Sequence, residues 1–149
     1  MVGAKPNGLT ALAAKVALEG ERMDSKKTIM VVDDNPDIIT IIKTILEGKG
    51  YNVFSASSGH ELLNLLKNQK PDLIILDIMM PEMDGLEVLT KLKGVTDTTG
   101  IPVILLTAKV QYEDVLGGYK LGADYYITKP FTSTQLINGI NLLLGERKS

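Results

Sequence analysis

The chain has 149 residues, 44% hydrophobic and 23% charged, which suits one globular domain with a core that needs no staples. A formal net charge of -2 gives no electrostatic pull toward a phosphate backbone, so direct nucleic-acid contact is not expected. With 0 cysteines there is no disulfide, thiolate metal site or cysteine nucleophile, and no apolar run nears the ~18 residues of a membrane span; a cytoplasmic protein without membrane contact is expected.

Residues 1–25 differ from the rest and read as an N-terminal extension. Thr10 to Glu19 is Ala-rich, with Leu9, Leu12 and Val16 at helical spacing, Thr10 as N-cap and Gly20 as stop. A helix of about ten residues is marginal in water, so it is expected as a short appendage. Residues 26–146 are expected to form the domain.

From Thr28 onward, short apolar runs alternate with helical patterns, which argues for parallel strands joined by crossover helices. The spacing predicts strands at Ile29–Val32, Asn52–Phe54, Leu73–Leu76, Val103–Leu106 and Tyr125–Ile127, three of them apolar on both faces as a covered parallel sheet requires. Five helices are predicted between and after them. The first runs from Pro36 to about Lys49, with Ile38, Ile42 and Ile45 on one face and Gly50 beyond its end. Ser58/Glu61 and Thr132/Gln135 have capping-box spacing and open the second and last helices. The third starts near Asp84, and the fourth spans about Tyr112 to Leu121 with Gly122 after it. The expected fold class is α/β, a doubly wound five-stranded parallel sheet flanked by five helices.

Ligands of such sheets collect outside the carboxyl ends of the strands. There the sequence places Asp33 and Asp34 after the first strand, Asp77 after the third, Thr107 after the fourth, and Lys129 and Pro130 after the fifth. Taken singly, an Asp there is a turn former or cap, a Thr ends a strand and a Lys is solvated. Jointly they put three carboxylates, a hydroxyl and an ammonium on one rim. Adjacent carboxylates repel unless a cation or protons compensate, so the cluster predicts a divalent metal or raised pKa values. Oxygen-only ligands suit Mg²⁺ or Mn²⁺, and a phosphate oxygen completes such sites readily. A carboxylate can then attack phosphorus while the Lys and Thr meet the transferred group, so the reaction class is phosphoryl transfer to a carboxylate.

The pair Asp33-Asp34, the run Leu76-Asp77-Ile78-Met79-Met80-Pro81, Met83-Asp84-Gly85, Thr107-Ala108 and Tyr126-Ile127-Thr128-Lys129-Pro130-Phe131 together resemble the receiver domain of two-component response regulators, over Lys27 to Leu144. The resemblance implies the flavodoxin-like strand order 2-1-3-4-5. It also implies Asp77 as phosphoacceptor, and a Mg²⁺ site made by Asp34, Asp77 and the Met79 backbone carbonyl, with Asp33 acting through a water. Lys129, Thr107 and the Ala108 backbone would contact the phosphoryl group. The Lys129–Pro130 peptide is expected to be cis. Thr107 and Tyr126 would form a switch pair that changes the face made by the fourth helix, fifth strand and fifth helix.

The implied function is a signalling phosphoacceptor that catalyses only its own phosphorylation and dephosphorylation. Its partners would be a sensor histidine kinase or phosphotransfer protein, a downstream protein target, and, as a family-level option, a second copy of the chain. Two arrangements fit: a stand-alone regulator acting by protein contact, or a receiver belonging to a longer chain. An aspartyl-phosphate phosphohydrolase is a weaker alternative, because the second Asp such enzymes place two residues after the nucleophile is here Met79. A phosphorylation-independent pseudo-receiver is the other alternative, disfavoured because every acidic, hydroxyl and lysine position is present. Dinucleotide and P-loop signatures do not follow any strand.

Gly117 and Gly118 lie inside the fourth helix at about 1 kcal/mol each relative to Ala, so a soft helix or close packing is expected there. Met79 offers no general base and a Lys109 ammonium cannot accept a proton, which predicts slow autodephosphorylation. His60 is expected on the solvent side of the second helix. Met79, Met80 and Met83 are expected to pack around their loop.

Overall fold

The apolar runs pair as parallel strands because each is flanked on both sides by amphipathic helices that can cover it. In the computed structural model, which describes residues 26–108 and 111–145, the strands are β1 (Thr28–Val32), β2 (Asn52–Ala56), β3 (Leu73–Leu76), β4 (Val103–Thr107) and β5 (Tyr125–Thr128). They form one sheet in the order β2-β1-β3-β4-β5, with every neighbouring pair parallel. The helices are α1 (Pro36–Gly48), α2 (Gly59–Leu65), α3 (Gly85–Lys93), the single turn α4 (Thr96–Thr99), α5 (Tyr112–Lys120) and α6 (Ser133–Leu144). The expected N-terminal helix and Lys109 lie outside the described residues.

Strand alternation splits the core in two. Met30, Val32, Ile74, Leu76, Val103 and Leu105 face one side with Leu62 of α2 and Val88, Leu89 and Leu92 of α3. Ile29, Val31, Leu73, Ile75, Ile104 and Leu106 face the other with Ile42 and Leu46 of α1 and Leu136 and Ile140 of α6. All of these side chains are buried, and each fully buried aliphatic contributes roughly 1.5–3 kcal/mol.

The helix signals act as read, with two departures. Thr132 and Gln135 form a reciprocal capping box on α6. On α2 the Ser58 hydroxyl accepts the Glu61 N–H, but the Glu61 carboxylate accepts from the Ser57 N–H instead of completing the box on Ser58. The second departure is α4, a sixth helical element among the described residues where five helices were expected. It forms because the Thr98 hydroxyl donates to the Leu92 carbonyl at 2.6 Å and the Thr99 hydroxyl to the Lys93 carbonyl at 3.0 Å, folding the chain back on α3.

Two carboxylates pin the opening ends of the strands. Asp72 accepts the Thr28 N–H at 2.7 Å, and Asp124 accepts the Val103 N–H at 2.8 Å. Each satisfies the first amide of an interior strand.

Candidate functional site

The parallel register puts the ends of β1, β3, β4 and β5 side by side, so the residues that follow them meet. Asp33 is buried at 2% exposure and Asp77 at 5%, whereas Asp34 faces solvent. Carboxylate oxygens of Asp33, Asp34 and Asp77 all lie within 4.8 Å of one another. The Lys129 ammonium reaches into this cluster from the end of β5, donating to Asp33 Oδ2 at 2.7 Å and to Asp77 Oδ2 at 3.2 Å. The remaining oxygens are held by backbone: Asp33 Oδ1 accepts the Asn35 N–H at 2.9 Å and Asp77 Oδ1 accepts the Met79 N–H at 3.1 Å.

Burial pushes the Asp33 carboxyl above its ordinary value, even though the Lys129 and Asn35 hydrogen bonds pull it down, and the Asp77 charge adds to the rise. For Lys129, burial works against the ammonium, yet the Asp33 hydrogen bond and the charges of Asp77 and Asp33 outweigh it and raise the pKa. One cation thus serves two buried carboxylates and a third carboxylate stands at the mouth. The donor set is all oxygen, with one side open to water, and could hold a hard divalent metal.

Thr107 ends β4, fully buried, and its carbonyl accepts the Lys129 N–H at 2.9 Å. Ala108 follows it at the surface. The Lys129–Pro130 peptide is cis. Tyr126 pairs with Leu105 in the β4–β5 register, which places it on the same sheet face as Thr107, while Tyr125 packs on the opposite face beside Gly139. Tyr126 is half-buried; desolvation, then the charges of Asp114 and Asp77, raises its phenol pKa. The sequence reading placed all three loop methionines in packed positions, and this needs correction for one of them. Met80 and Met83 are buried, but Met79 is 53% exposed at the rim of the site, because its own N–H turns in to Asp77 and sends the side chain out. His60 is exposed, as expected.

Gly85 has a positional role that the sequence reading did not assign. It is buried, its N–H donates to the Ile78 carbonyl at 2.9 Å, and a Cβ there would run into the Asp77 backbone carbonyl and lie 2.7 Å from the Ile78 Cα. The start of α3 is thereby pressed directly on the backbone that carries Asp77. The Asp84-Gly85 pair was the available signal, since Asp84 caps α3 by accepting the Glu87 N–H. Which backbone Gly85 would touch is a long-range fact.

The sequence profile described as "Response regulator receiver domain" matches residues 29–141. The chain is 42% identical over 118 residues to the alkaline phosphatase synthesis transcriptional regulatory protein PhoP of Bacillus subtilis, covering 79% of this chain and 48% of that protein. It therefore spans about half the length of the curated relatives it matches. The chemotaxis protein CheY4 of Vibrio cholerae superposes with a TM-score of 0.77 at 28% identity, over 80% of this chain and 99% of that one. The signal receiver domain of a signal transduction histidine kinase from Syntrophus aciditrophicus gives 0.75 at 39% identity, over 83% and 95%.

Proposed function

Because the chain belongs to the response regulator receiver domain family, whose general role is phosphorylation-based signalling, we propose that Asp77 accepts a phosphoryl group from a sensor histidine kinase or phosphotransfer protein. The observation that carries this reading is the Lys129 ammonium bridging Asp33 and Asp77 at the carboxyl end of β3. An Asp77 oxygen attacks phosphorus, the bond from phosphorus to the donor breaks, and the donor leaves with its electron pair. Lys129 stands where negative charge accumulates on the transferred group, in a site that is partly dry and so raises the worth of that charge. Mg²⁺ or Mn²⁺, held by Asp34, Asp77 and the Met79 carbonyl with Asp33 through water, would supply further positive charge to the phosphoryl oxygens.

The buried Thr107 hydroxyl sits one strand from Lys129 and shares a face with Tyr126. Phosphoryl oxygens on Asp77 draw Thr107 toward them, and Tyr126 follows into the space vacated. The α5–β5–α6 face thereby changes shape for a downstream protein, as the second of two states already in equilibrium. Trapping the acyl phosphate by borohydride after incubation with Mg²⁺ and acetyl phosphate tests the acceptor. Reduction products at position 77 are expected; products at any other carboxylate overturn the assignment.

A further inference from the structure

On the face opposite α1 and α6, and at the end of the sheet away from Asp77, a groove of about 630 Å³ runs between α2 with its following turn and the α3–α4 corner. Its size lies within the usual range for binding clefts. The floor is aliphatic, with Leu66 buried and Leu63 half-buried, and Val95 in one wall is 53% exposed. Three lysines, Lys67, Lys70 and Lys91, stand around it at the surface of a chain whose net charge is -2. Lys70 makes an exposed 3.9 Å pair with Asp97, the one carboxylate of the lining among the described residues. Among the described residues, Lys67 and Lys91 have no ion-pair partner.

The wall carrying Val95 is prebuilt. Thr98 and Thr99 tie α4 to the end of α3, and Lys93 donates to the Ile101 carbonyl at 2.9 Å and the Thr99 carbonyl at 3.2 Å. None of these residues serves the phosphoryl site. An exposed Val held in place by a dedicated helical turn, beside aliphatic side chains and surface lysines, is a surface that already meets the ordering cost of binding.

We propose that this groove is a docking surface for an amphipathic helix of a partner protein, with an aliphatic stripe flanked by Asp and Glu. A furrow between two helices accepts side chains at i, i+3 or i+4 and i+7, and the aliphatic floor asks for Leu, Ile or Val on that stripe. Lys67 and Lys91, which have no ion-pair partner among the described residues, ask for carboxylates beside it and set the orientation. Nucleic acid fits less well, because among the described residues no aromatic side chain lines the groove to stack a base. The groove lies at the opening ends of β3 and β4, so docking there is independent of the phosphorylation reading.

The test uses the full chain, ¹⁵N-labelled, titrated with a synthetic helical peptide bearing Leu at i, i+3 and i+7 and Glu at the flanking positions. Amide shifts confined to residues 63–70 and 91–98 are expected, with affinity reduced roughly tenfold or more by Lys67→Glu with Lys91→Glu and unchanged by Lys49→Glu with Lys120→Glu. Unmoved β1 and β3 amides in the variants establish that both are folded. The proposal is overturned by shifts spread over the whole surface, by equal binding of a peptide with Lys in place of Glu, by stronger shifts of the same amides with a single-stranded oligonucleotide, or by concentration-dependent shifts without peptide, which would mark a second copy as the occupant.

Discussion

At the scale of single residues, the site depends on one cation shared by two buried carboxylates. Lys129→Ala removes the hydrogen bonds to Asp33 and Asp77 and leaves those charges facing each other, so phosphorylation by acetyl phosphate is expected to slow by about 100-fold, the usual loss for one charge-stabilising donor. Quenched mass analysis reads the rate; an unchanged rate would remove Lys129 from the chemistry. Met79 is different, since its side chain is 53% exposed two residues after Asp77. Met79→Asn supplies a group that can orient water, and the phosphoryl lifetime is expected to shorten; a lifetime equal to or longer than the parent's contradicts this. Gly85 belongs to the same scale. A methyl group there meets the Asp77 backbone, so Gly85→Ala is expected to cost about 1–3 kcal/mol in urea unfolding, and a stability equal to the parent's would show that the loop yields freely.

At the scale of elements, the softness expected of the Gly117-Gly118 helix divides between its two glycines. A Cβ on Gly117 meets nothing within 4 Å, so Gly117→Ala is expected to stabilise α5 by up to about 1 kcal/mol. A Cβ on Gly118 lies 2.6 Å from Leu105 Cδ1, deep in the core, and Gly118→Ala is expected to destabilise by roughly 1–3 kcal/mol. Opposite signs in thermal unfolding are the expected outcome, and two stabilising substitutions would mean that close packing plays no part. The strands were legible because a sheet covered on both faces needs runs such as Leu73–Leu76 that are apolar without alternation. The turn Thr96–Thr99 was not legible: Thr and Asp are poor helix formers, and the turn exists through hydroxyl bonds back to α3. Likewise Glu61 carries the right spacing for Ser58 but binds the Ser57 amide, a choice set by the local path of the backbone.

At the scale of the molecule, the two ends of one sheet use aspartate for different ends. Asp72 and Asp124, before β3 and β5, accept the first amides of β1 and β4 and are structural; Asp33 and Asp77, after β1 and β3, converge on Lys129. The sequence separated these roles only because parallel strands put all the following residues on one rim, so the strand assignment alone brought Asp33, Asp34, Asp77, Thr107 and Lys129 together before any contact was known. What it did not carry was the packing that fixes them, the Gly85 backbone contact and the burial that raises Asp33. On the proposed reading, this rim makes Asp77 a metal-dependent phosphoacceptor. Intact-protein mass after incubation with Mg²⁺ and acetyl phosphate, beside Asp77→Asn and a chelated sample, tests it most directly. A single phosphoryl adduct on the parent chain, absent from both controls, is the predicted result; an adduct that persists in Asp77→Asn, or none on the parent, would contradict it.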